Sequence, residues 1–275
     1  MQTILFISDE CNLRCRHCHV YNDTPHIKTY SQIEADLRYS YQLGARFVDF
    51  EGGEPFLWSD GNFTVNDLCI LAKSIGFFST TITTNAQMPF SHCKADSIWV
   101  SMDGLEEFHE TIRGKGTFEK LLENLNACDH PHVSINMVIN KLNYTNVEQT
   151  IHFAKNHPHI EKISLNFHTP YHGTEDLFID DWNLRAQIID KIISLKKSGF
   201  PVMNSISGLK LMKTNQFKKQ CWVSNFILSD GSRYKECPGK TANICDKCGY
   251  CMAGEMHSVF AFKPDTLKAG FALRG

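Results

Sequence analysis

The stretch CNLRCRHC (residues 11–18) places three thiols within eight positions, directly after the apolar run QTILFIS (2–8). Cysteines at such short spacings, in a chain without a secretion signal, are typical of a metal centre. A structural zinc ion takes four protein ligands, whereas an iron–sulfur cube held by three cysteines keeps one iron open for a small chelating ligand. A loop with only Cys11, Cys15 and Cys18 therefore favours a site-differentiated [4Fe–4S] cluster over zinc or free thiols.

The composition describes a chain that can bury a full hydrophobic core, with 275 residues, 42% of them hydrophobic, and a formal net charge of −2. The chain has no basic excess, which would indicate nucleic-acid binding, and no acidic tail, which would indicate disorder. The N-terminus has no charged segment before its short apolar run, so we expect no signal peptide, no membrane span and a cytoplasmic location. Disulfides are unlikely there, and the scattered Cys69, Cys93 and Cys128 are expected to be buried small hydrophobes.

Short apolar runs alternate with helix-like segments along most of the chain. The predicted strands are 2–8, 46–52, 77–84, 97–103, 132–140 and 162–168, and the predicted helices lie near 31–43, 66–75, 117–127, 145–155 and 181–197. Ser31, Glu34 and Gly44 predict a capping box and a glycine stop for the first helix. The alternation predicts an α/β fold of parallel βα units. It ends after residue 200, so we expect a first domain at 1–214 and a small cysteine-rich domain at 215–275.

Polar or glycine-rich motifs follow the first four predicted strands. The cysteine loop follows the first strand, EGGEP (51–55) the second and TTN (83–85) the third, and SMDG (101–104) ends the fourth. Parallel βα units carry their functional loops at the C-terminal ends of the strands. The four motifs are therefore expected to meet on one rim of the sheet.

The pattern C-x3-C-x2-C after the first strand of an expected partial (βα)6, TIM-like barrel resembles that of the radical S-adenosylmethionine (radical SAM) enzymes. The resemblance covers residues 1 to at least 166. It implies that the amino and carboxylate groups of SAM chelate the open iron. It also implies that an electron from the cluster splits SAM into methionine and a 5′-deoxyadenosyl radical, which takes a hydrogen atom from the substrate.

The same resemblance implies further contacts to SAM. Gly52-Gly53-Glu54 is similar to the family's GGE motif, whose glycines bring backbone acceptors close and whose carboxylate suits the SAM ammonium. His17 occupies the position whose backbone usually meets the adenine; alternatively, it packs on the cluster.

The stretch SMDGLEEFHETIRGKGTF (101–118) is similar to the fourth-strand region of the peptide- and cofactor-maturing branch of that family. There Ser101 would contact the ribose or the SAM carboxylate, and Asp103 would lie near SAM or substrate. Arg113 would pair with a carboxylate or be a surface charge. Asn85 and Asn140 would face SAM or be turn residues.

A second group of cysteines lies near the C-terminus, at Cys221, Cys237, Cys245, Cys248 and Cys251. Residues 226–234 predict a hairpin with a turn at Asp230-Gly231, which puts Cys221 and Cys237 at its open ends. The arrangement resembles the auxiliary-cluster domains called SPASM and, in shorter form, twitch, although the full SPASM cysteine set is absent. It implies one auxiliary [4Fe–4S] cluster on Cys221, Cys237, Cys245 and either Cys248 or Cys251. A zinc ribbon is the alternative.

The substrate is less constrained. The loop FHTPYH (167–172), with His168 and Tyr171, is the best candidate for substrate contact, and His19, Tyr21 and His172 also lie near strand ends. We favour a peptide maturase in which the auxiliary cluster supports oxidation or cross-linking. Its partners would be a reductant such as flavodoxin or ferredoxin and a separate leader-peptide-binding protein, unless the peptide binds a groove directly. The alternatives are a small-molecule dehydrogenase or epimerase of the same superfamily, in which a spare thiol could return a hydrogen atom, and a non-catalytic iron–sulfur or zinc-binding protein.

Overall fold

The computed structural model describes residues 1–20 and 22–272. Its strands, in chain order, are β1 (Gln2–Ser8), β2 (Phe47–Gly52), β3 (Ser59–Asp60), β4 (Phe63–Thr64), β5 (Ser79–Thr84), β6 (Ser97–Ser101), β7 (Val133–Ile139), β8 (Lys162–Phe167), β9 (Ser224–Ile227) and β10 (Arg233–Tyr234). Eight of them form one sheet in the order β10-β9-β1-β2-β5-β6-β7-β8, and β3 pairs with β4 separately. All pairs within the main sheet are parallel except that of β9 with β10. The predicted α/β fold with a partial barrel is confirmed.

Most of the helices pack against the outer face of this sheet. In chain order they are α1 (Tyr30–Gln42), α2 (Val65–Ile75), α3 (Glu107–Arg113), α4 (Thr117–Asn126), α5 (Val147–Asn156), α6 (Trp182–Lys197), α7 (Ile206–Met212), α8 (Met252–Phe260) and α9 (Pro264–Ala272). The five predicted helices and six predicted strands are all present, with bounds shifted by one to two residues. The sequence reasoning missed α3 and the three short helices after residue 200. No helix in the described part of the chain is both long and apolar enough to cross a membrane.

The cap of α1 lies two residues earlier than predicted. Thr29 is its N-cap: its hydroxyl accepts the N–H of Gln32 at 3.3 Å, and the Gln32 side chain accepts the N–H of Thr29 at 2.8 Å. Ser31 therefore lies inside the first turn, and Glu34 pairs with Arg38 at 2.7 Å. A Thr-x-x-Gln pair satisfies the same free N–H groups as the Ser-x-x-Glu pair that we predicted.

Each strand sends alternate side chains to the helices and to the inside of the barrel. On β2, Val48 and Phe50 are fully buried in the core against the helices. Asp49 and Glu51 alternate with these two residues along the strand and therefore face the barrel interior. The parallel register places Asp49 beside Ile4 of β1 and Thr81 of β5.

The cysteine-rich C-terminal segment begins at the edge of the main sheet. Strand β9 pairs in parallel with β1, with Phe226 opposite Ile4. The predicted hairpin is present, since β10 returns antiparallel to β9 with Arg233 opposite Ile227. Gly231 in the connecting turn has a φ of +88°, a conformation that favours glycine. The hairpin thus joins the sheet next to the strand that leads into the first cysteine loop, and the division into two domains at residue 215 stays a prediction.

Candidate active site and cysteine centres

The three-cysteine loop leaves the C-terminal end of β1 and lies beside α3. The N–H of Cys18 donates to the carbonyl of Cys15 at 3.0 Å, so both cysteines share one tight turn. Between them, the N–H of Arg16 donates to the carbonyl of Ile112 at 2.9 Å. These bonds hold the loop at the C-terminal rim of the sheet.

Hydrogen-bond donors lie close to the sulfur atoms of this loop. Cys11 Sγ accepts the N–H of Leu13 at 3.4 Å and lies 3.7 Å from Nδ2 of Asn85. Nη1 of Arg113 is 4.0 Å from Cys15 Sγ. Burial raises the pKa of Cys15 to about 11, and the charge of Arg113 partly opposes this rise. Donors and a cation next to sulfur favour the thiolate, which is the form that ligates iron.

Gly52 and Gly53 bring the end of β2 into backbone contact with the start of the cysteine loop. The N–H of Gly53 donates to the carbonyl of Ser8 at 2.9 Å, and that of Glu54 donates to the carbonyl of Glu10 at 2.8 Å. A Cβ atom on Gly53 would lie 1.8 Å from the Glu10 oxygen, and one on Gly52 would lie 2.0 Å from the Ser8 oxygen. Only glycine fits at these two positions without moving the loop.

The carboxylate of Glu54 is buried and bonded within the chain. Its Oε1 accepts the Thr84 hydroxyl at 2.7 Å and the N–H of Phe56 at 3.2 Å, and its Oε2 accepts the N–H of Asn85 at 2.7 Å. Burial raises its pKa to about 7, against the effect of these bonds. This side chain, expected from the resemblance to meet an ammonium, ties the end of β2 to the end of β5.

Asp103 and Arg113 form a buried pair at the end of β6. Nε of Arg113 donates to Oδ2 of Asp103 at 2.7 Å, and Oδ1 accepts the N–H of Val138 at 2.9 Å. Burial disfavours the charged form of both groups. The opposite charge of the partner outweighs this effect, so the pKa of Asp103 is lowered and that of Arg113 is raised. Nδ1 of His17 lies 3.8 Å from the same carboxylate, and burial lowers the pKa of His17 to about 4, so its ring is neutral at pH 7. Of the two alternatives for Arg113, the surface charge is thus wrong, because its side chain is 8% exposed.

Two other predicted SAM contacts lie on the same rim. Ser101 ends β6 and lies opposite Asn136 of β7 in the barrel interior. Asn140 is fully buried, its Oδ1 accepts the N–H of Leu142 at 2.9 Å and its Nδ2 donates to the carbonyl of Val138 at 3.3 Å. The Asn140 side chain therefore shapes the turn after β7.

The acidic pair inside the barrel was missed in the sequence analysis. Burial raises the pKa of Glu51 to about 8, and the charge of Asp49 adds to the rise. The charge of Glu51 also acts on the Tyr250 hydroxyl, which belongs to the cysteine-rich segment. The signal was present, because the alternation of acidic and apolar residues in VDFE (48–51) separates the two faces of a strand.

Tyr171 lies between the two cysteine groups. Its ring stacks on that of His19, one residue after the first cysteine loop, with centroids 4.0 Å apart. Burial raises the pKa of Tyr171 to about 12, against a hydrogen bond with Tyr250, while the charges of Cys237 and Cys248 act on it as well. The predicted substrate loop is therefore in contact with both cysteine-rich segments.

The remaining candidates around this loop are less central. His168 is buried, and its Nε2 is 2.9 Å from the carbonyl of Thr174. His172 is fully exposed and lies 3.6 Å from Glu175. Tyr21 lies outside the described residues.

Four of the five C-terminal cysteines come together. The charges of Cys237, Cys245 and Cys248 all act on Cys221, and those of Cys237 and Cys245 act on Cys248. Burial raises the pKa of Cys221 and of Cys248 to about 11. Between the prediction's two alternatives, this grouping favours Cys248 as the fourth member.

Cys251 differs from these four cysteines, because it is buried whereas they are partly exposed. It is 1% exposed and precedes α8, and its N–H donates to Oδ1 of Asn166 at 2.9 Å. The charges that act on its sulfur come from Glu255, Arg185 and Cys248. The buried Arg185 was also missed by the sequence reasoning, because nothing in the sequence distinguishes it from a surface arginine on an amphipathic helix.

The two cysteine groups differ from a preformed mononuclear site. Within residues 1–20 and 22–272, no three His, Cys, Asp or Glu side chains lie close enough together to hold a single metal ion. The donors around Cys11 and Cys15 suit thiolates that ligate a metal centre.

Comparison with known proteins identifies the class. Residues 5–154, more than half of the chain, match the profile of the Radical SAM superfamily. The chain belongs to this superfamily, as its motifs had indicated. Membership implies a [4Fe–4S] cluster and SAM as cofactors.

Sequence relatives include proteins named GTP 3′,8-cyclase. That of Haemophilus influenzae strain PittGG is 26% identical over 212 residues, which cover 69% of this chain and 59% of the relative. A probable GTP 3′,8-cyclase of Methanosarcina mazei is 29% identical over 181 residues, covering 58% of this chain and 51% of the relative. The chain thus spans little more than half the length of these relatives.

Solved structures of similar fold include two with bound peptides. Streptococcus suis SuiB bound to precursor peptide SuiA aligns with a TM-score of 0.67 at 18% identity, covering 87% of this chain and 60% of SuiB. The protein anSMEcpe with bound SAM and the Kp18Cys peptide aligns with a TM-score of 0.63 at 17% identity, covering 86% of this chain and 74% of that one. At these identities the likeness establishes the fold.

Proposed function

We propose that this chain is a peptide-modifying radical SAM enzyme. It would cleave SAM reductively and abstract a hydrogen atom from a peptide held inside the barrel. An auxiliary [4Fe–4S] cluster on Cys221, Cys237, Cys245 and Cys248 would take up the electron that remains after abstraction, so that the net change is an oxidation or a cross-link.

The observation that carries this proposal is the contact between the first cysteine loop and the glycine pair. With a side chain, residue 53 could not lie as close to the carbonyl of Glu10 as Gly53 does. The contact brings the loop with Cys11, Cys15 and Cys18 next to a turn whose backbone can serve a ligand of the cluster. A metal-binding loop used only for stability or electron transfer has no need of such a turn.

The chain's own residues divide the work of holding SAM. With the Glu54 carboxylate already bonded by Thr84 and Asn85, an ammonium at this turn would meet backbone carbonyl oxygens. His17 would present its backbone to the adenine, and Ser101 would reach the ribose or the carboxylate. When bound, the cluster supplies the electron that splits the sulfonium bond.

The charge of the barrel interior favours a peptide over a nucleotide. The names of the sequence relatives suggest GTP as an alternative substrate. Asp49 and Glu51 face the interior, where the negative charge of Asp49 helps to keep the proton on Glu51 and repels a triphosphate. A peptide with a neutral or basic side chain meets no such repulsion, and Tyr171 offers it an aromatic surface beside both cysteine groups.

The experiment is an anaerobic assay of the iron-reconstituted chain with dithionite and SAM, in which 5′-deoxyadenosine is quantified. The chain should release 5′-deoxyadenosine, and Cys15→Ala should abolish the release. Cys128→Ala, which removes a buried cysteine outside both groups, is the matched control and should retain it. A reconstituted chain that releases none would favour an electron carrier, and a zinc-loaded chain would favour a structural protein.

The same assay separates the substrate classes. Added GTP should be recovered unchanged; its conversion would replace the peptide proposal by the nucleotide one. With a peptide encoded near the gene as substrate, a product two mass units lighter would support oxidation or cross-linking, whereas solvent deuterium in the product would support epimerisation. Flavodoxin or ferredoxin should support the same release of 5′-deoxyadenosine in place of dithionite. If a separate protein binds the leader peptide, adding that protein should raise turnover.

A further inference from the structure

Arg185, in the first turn of α6, carries a buried charge that the proposed function does not use. Its side chain is 0% exposed and is the largest of the fully buried side chains described. Among the described residues, Nε, Nη1 and Nη2 all have no hydrogen-bond partner. Arginine is almost never fully buried unless it is paired, because removing its charge from water is strongly unfavourable.

Aromatic rings surround the guanidinium. Its central carbon lies 4.3 Å from the ring centre of Trp182, 4.6 Å from that of Phe167 and 5.6 Å from that of Phe178. Cation–π attraction to these rings offsets part of the cost of burying the charge. The rings accept no N–H bond in place of water, so the guanidinium still needs an anionic partner.

The charges that act on Arg185 come from cysteines. They are Cys251 and Cys248, and burial lowers the pKa of Arg185 to about 10, so it stays protonated at neutral pH. The carboxylate of Glu255 also acts on Cys251, but its Oε1 accepts the N–H of Ser205 at 2.9 Å. Phe167, on whose ring the guanidinium packs, donates its N–H to the carbonyl of Gly249 at 2.9 Å, so the guanidinium lies beside the segment that joins Cys248 to Cys251.

We propose that Arg185 is the buried counter-charge of the auxiliary cluster and sets its reduction potential. The inference rests on the proposed function, because it requires that cluster on Cys221, Cys237, Cys245 and Cys248. A cluster held by four thiolates is an anion, and reduction by one electron makes it more negative. A fixed positive charge in a dry environment stabilises the reduced form more than the oxidised form and so raises the potential. Arg185 would not touch the substrate; it would act on the reaction only through the potential of the cluster.

The test measures the potential of the auxiliary cluster alone. The background is Cys15→Ala/Cys18→Ala, which removes two ligands of the first cluster, and the probe is a dithionite titration followed by EPR. Arg185→Met and Arg185→Gln should lower the midpoint potential, while Arg185→Lys should keep it near that of the background. Lys219→Met is the control: the charge of Lys219 also acts on Cys221 and Cys248, but its side chain is only half-buried and should contribute a smaller shift.

Iron content separates the possible failures. A background variant without iron would overturn the auxiliary cluster and, with it, the role of Arg185. An iron-replete Arg185→Met variant with an unchanged potential, or a shift matched by Lys219→Met, would overturn the role of Arg185 alone and leave the proposed function standing.

A second measurement covers variants that load iron poorly. Cluster loading should raise the melting temperature of the Cys15→Ala/Cys18→Ala background more than that of its Arg185→Met derivative, because only Arg185 gains a partner on loading. Arg185→Lys should recover the larger increment. If Arg185 merely packs between the rings, Arg185→Met will lower the apo and the loaded melting temperatures equally, and the proposal fails.

Discussion

Asp103 and Arg113 are joined by a 2.7 Å hydrogen bond with both side chains buried at the end of β6. The same guanidinium lies 4.0 Å from the sulfur of Cys15. A single buried cation therefore serves a carboxylate on one side and a candidate cluster ligand on the other. Neutralising the carboxylate would leave this cation buried without its partner.

Asp103→Asn should lower the free energy of unfolding by roughly 3 kcal/mol, since it leaves the charge of Arg113 buried without its partner. Urea unfolding of the apo protein under reducing conditions measures this change. The double variant Asp103→Asn/Arg113→Met should recover part of the loss, because it removes the unpaired charge. For comparison, neutralising the exposed pair Arg16–Asp176, whose nitrogen–oxygen distance is 3.3 Å, should change stability by less than about 1 kcal/mol. Equal losses at the two pairs would show that the burial of Arg113 is unimportant.

Gly53→Ala should prevent assembly of the first cluster. Its Cβ would lie 1.8 Å from the carbonyl oxygen of Glu10, and that contact is with backbone that cannot turn aside. After reconstitution, this variant should contain less iron than the unaltered chain, by the amount that one cluster holds. Gly270→Ala is the matched control, because its Cβ meets nothing within 4 Å and alanine favours the helix. Normal loading of Gly53→Ala would mean that the loop binds iron without the glycine contact.

The four grouped C-terminal cysteines predict which thiol is spare. Cys251→Ala should leave the auxiliary cluster in place, whereas Cys248→Ala should lose it, because Cys251 is the member outside the group. Iron analysis and EPR in the Cys15→Ala/Cys18→Ala background measure both variants. Loss of iron in Cys251→Ala with retention in Cys248→Ala would reverse the assignment.

Sequence patterns predicted the barrel well because each βα unit repeats a local signal. Apolar runs such as 2–8 and the helix signals between them depend on neighbouring residues alone. The motifs after the strands could be placed on one rim because parallel strands share their direction. Cys248 could not be chosen over Cys251 from spacing, since that choice depends on how residues 245–251 fold onto β8. The burial of Arg185 likewise depends on rings contributed by β8 and by residues around α6.

The stability of the folded chain should depend on pH through Glu51. Burial, together with the charge of Asp49, raises the pKa of Glu51 from 4.5 to about 8, so the folded chain favours its protonated form. The stabilisation from this group is therefore complete below the unfolded pKa and is lost as the pH rises to about 8.

Glu51→Gln keeps the shape of the side chain and removes the titration. The melting temperature of the unaltered apo chain, relative to that of Glu51→Gln, should fall by roughly 8 °C or more between pH 5 and pH 8.5, because the raised pKa corresponds to roughly 4 kcal/mol over this range. Asp49→Asn should reduce this dependence, because Glu51 would then ionise without a neighbouring negative charge. Thermal unfolding at a series of pH values measures all three proteins under the same reducing conditions. A constant difference across this range would show that the pKa of Glu51 is not raised in the folded chain.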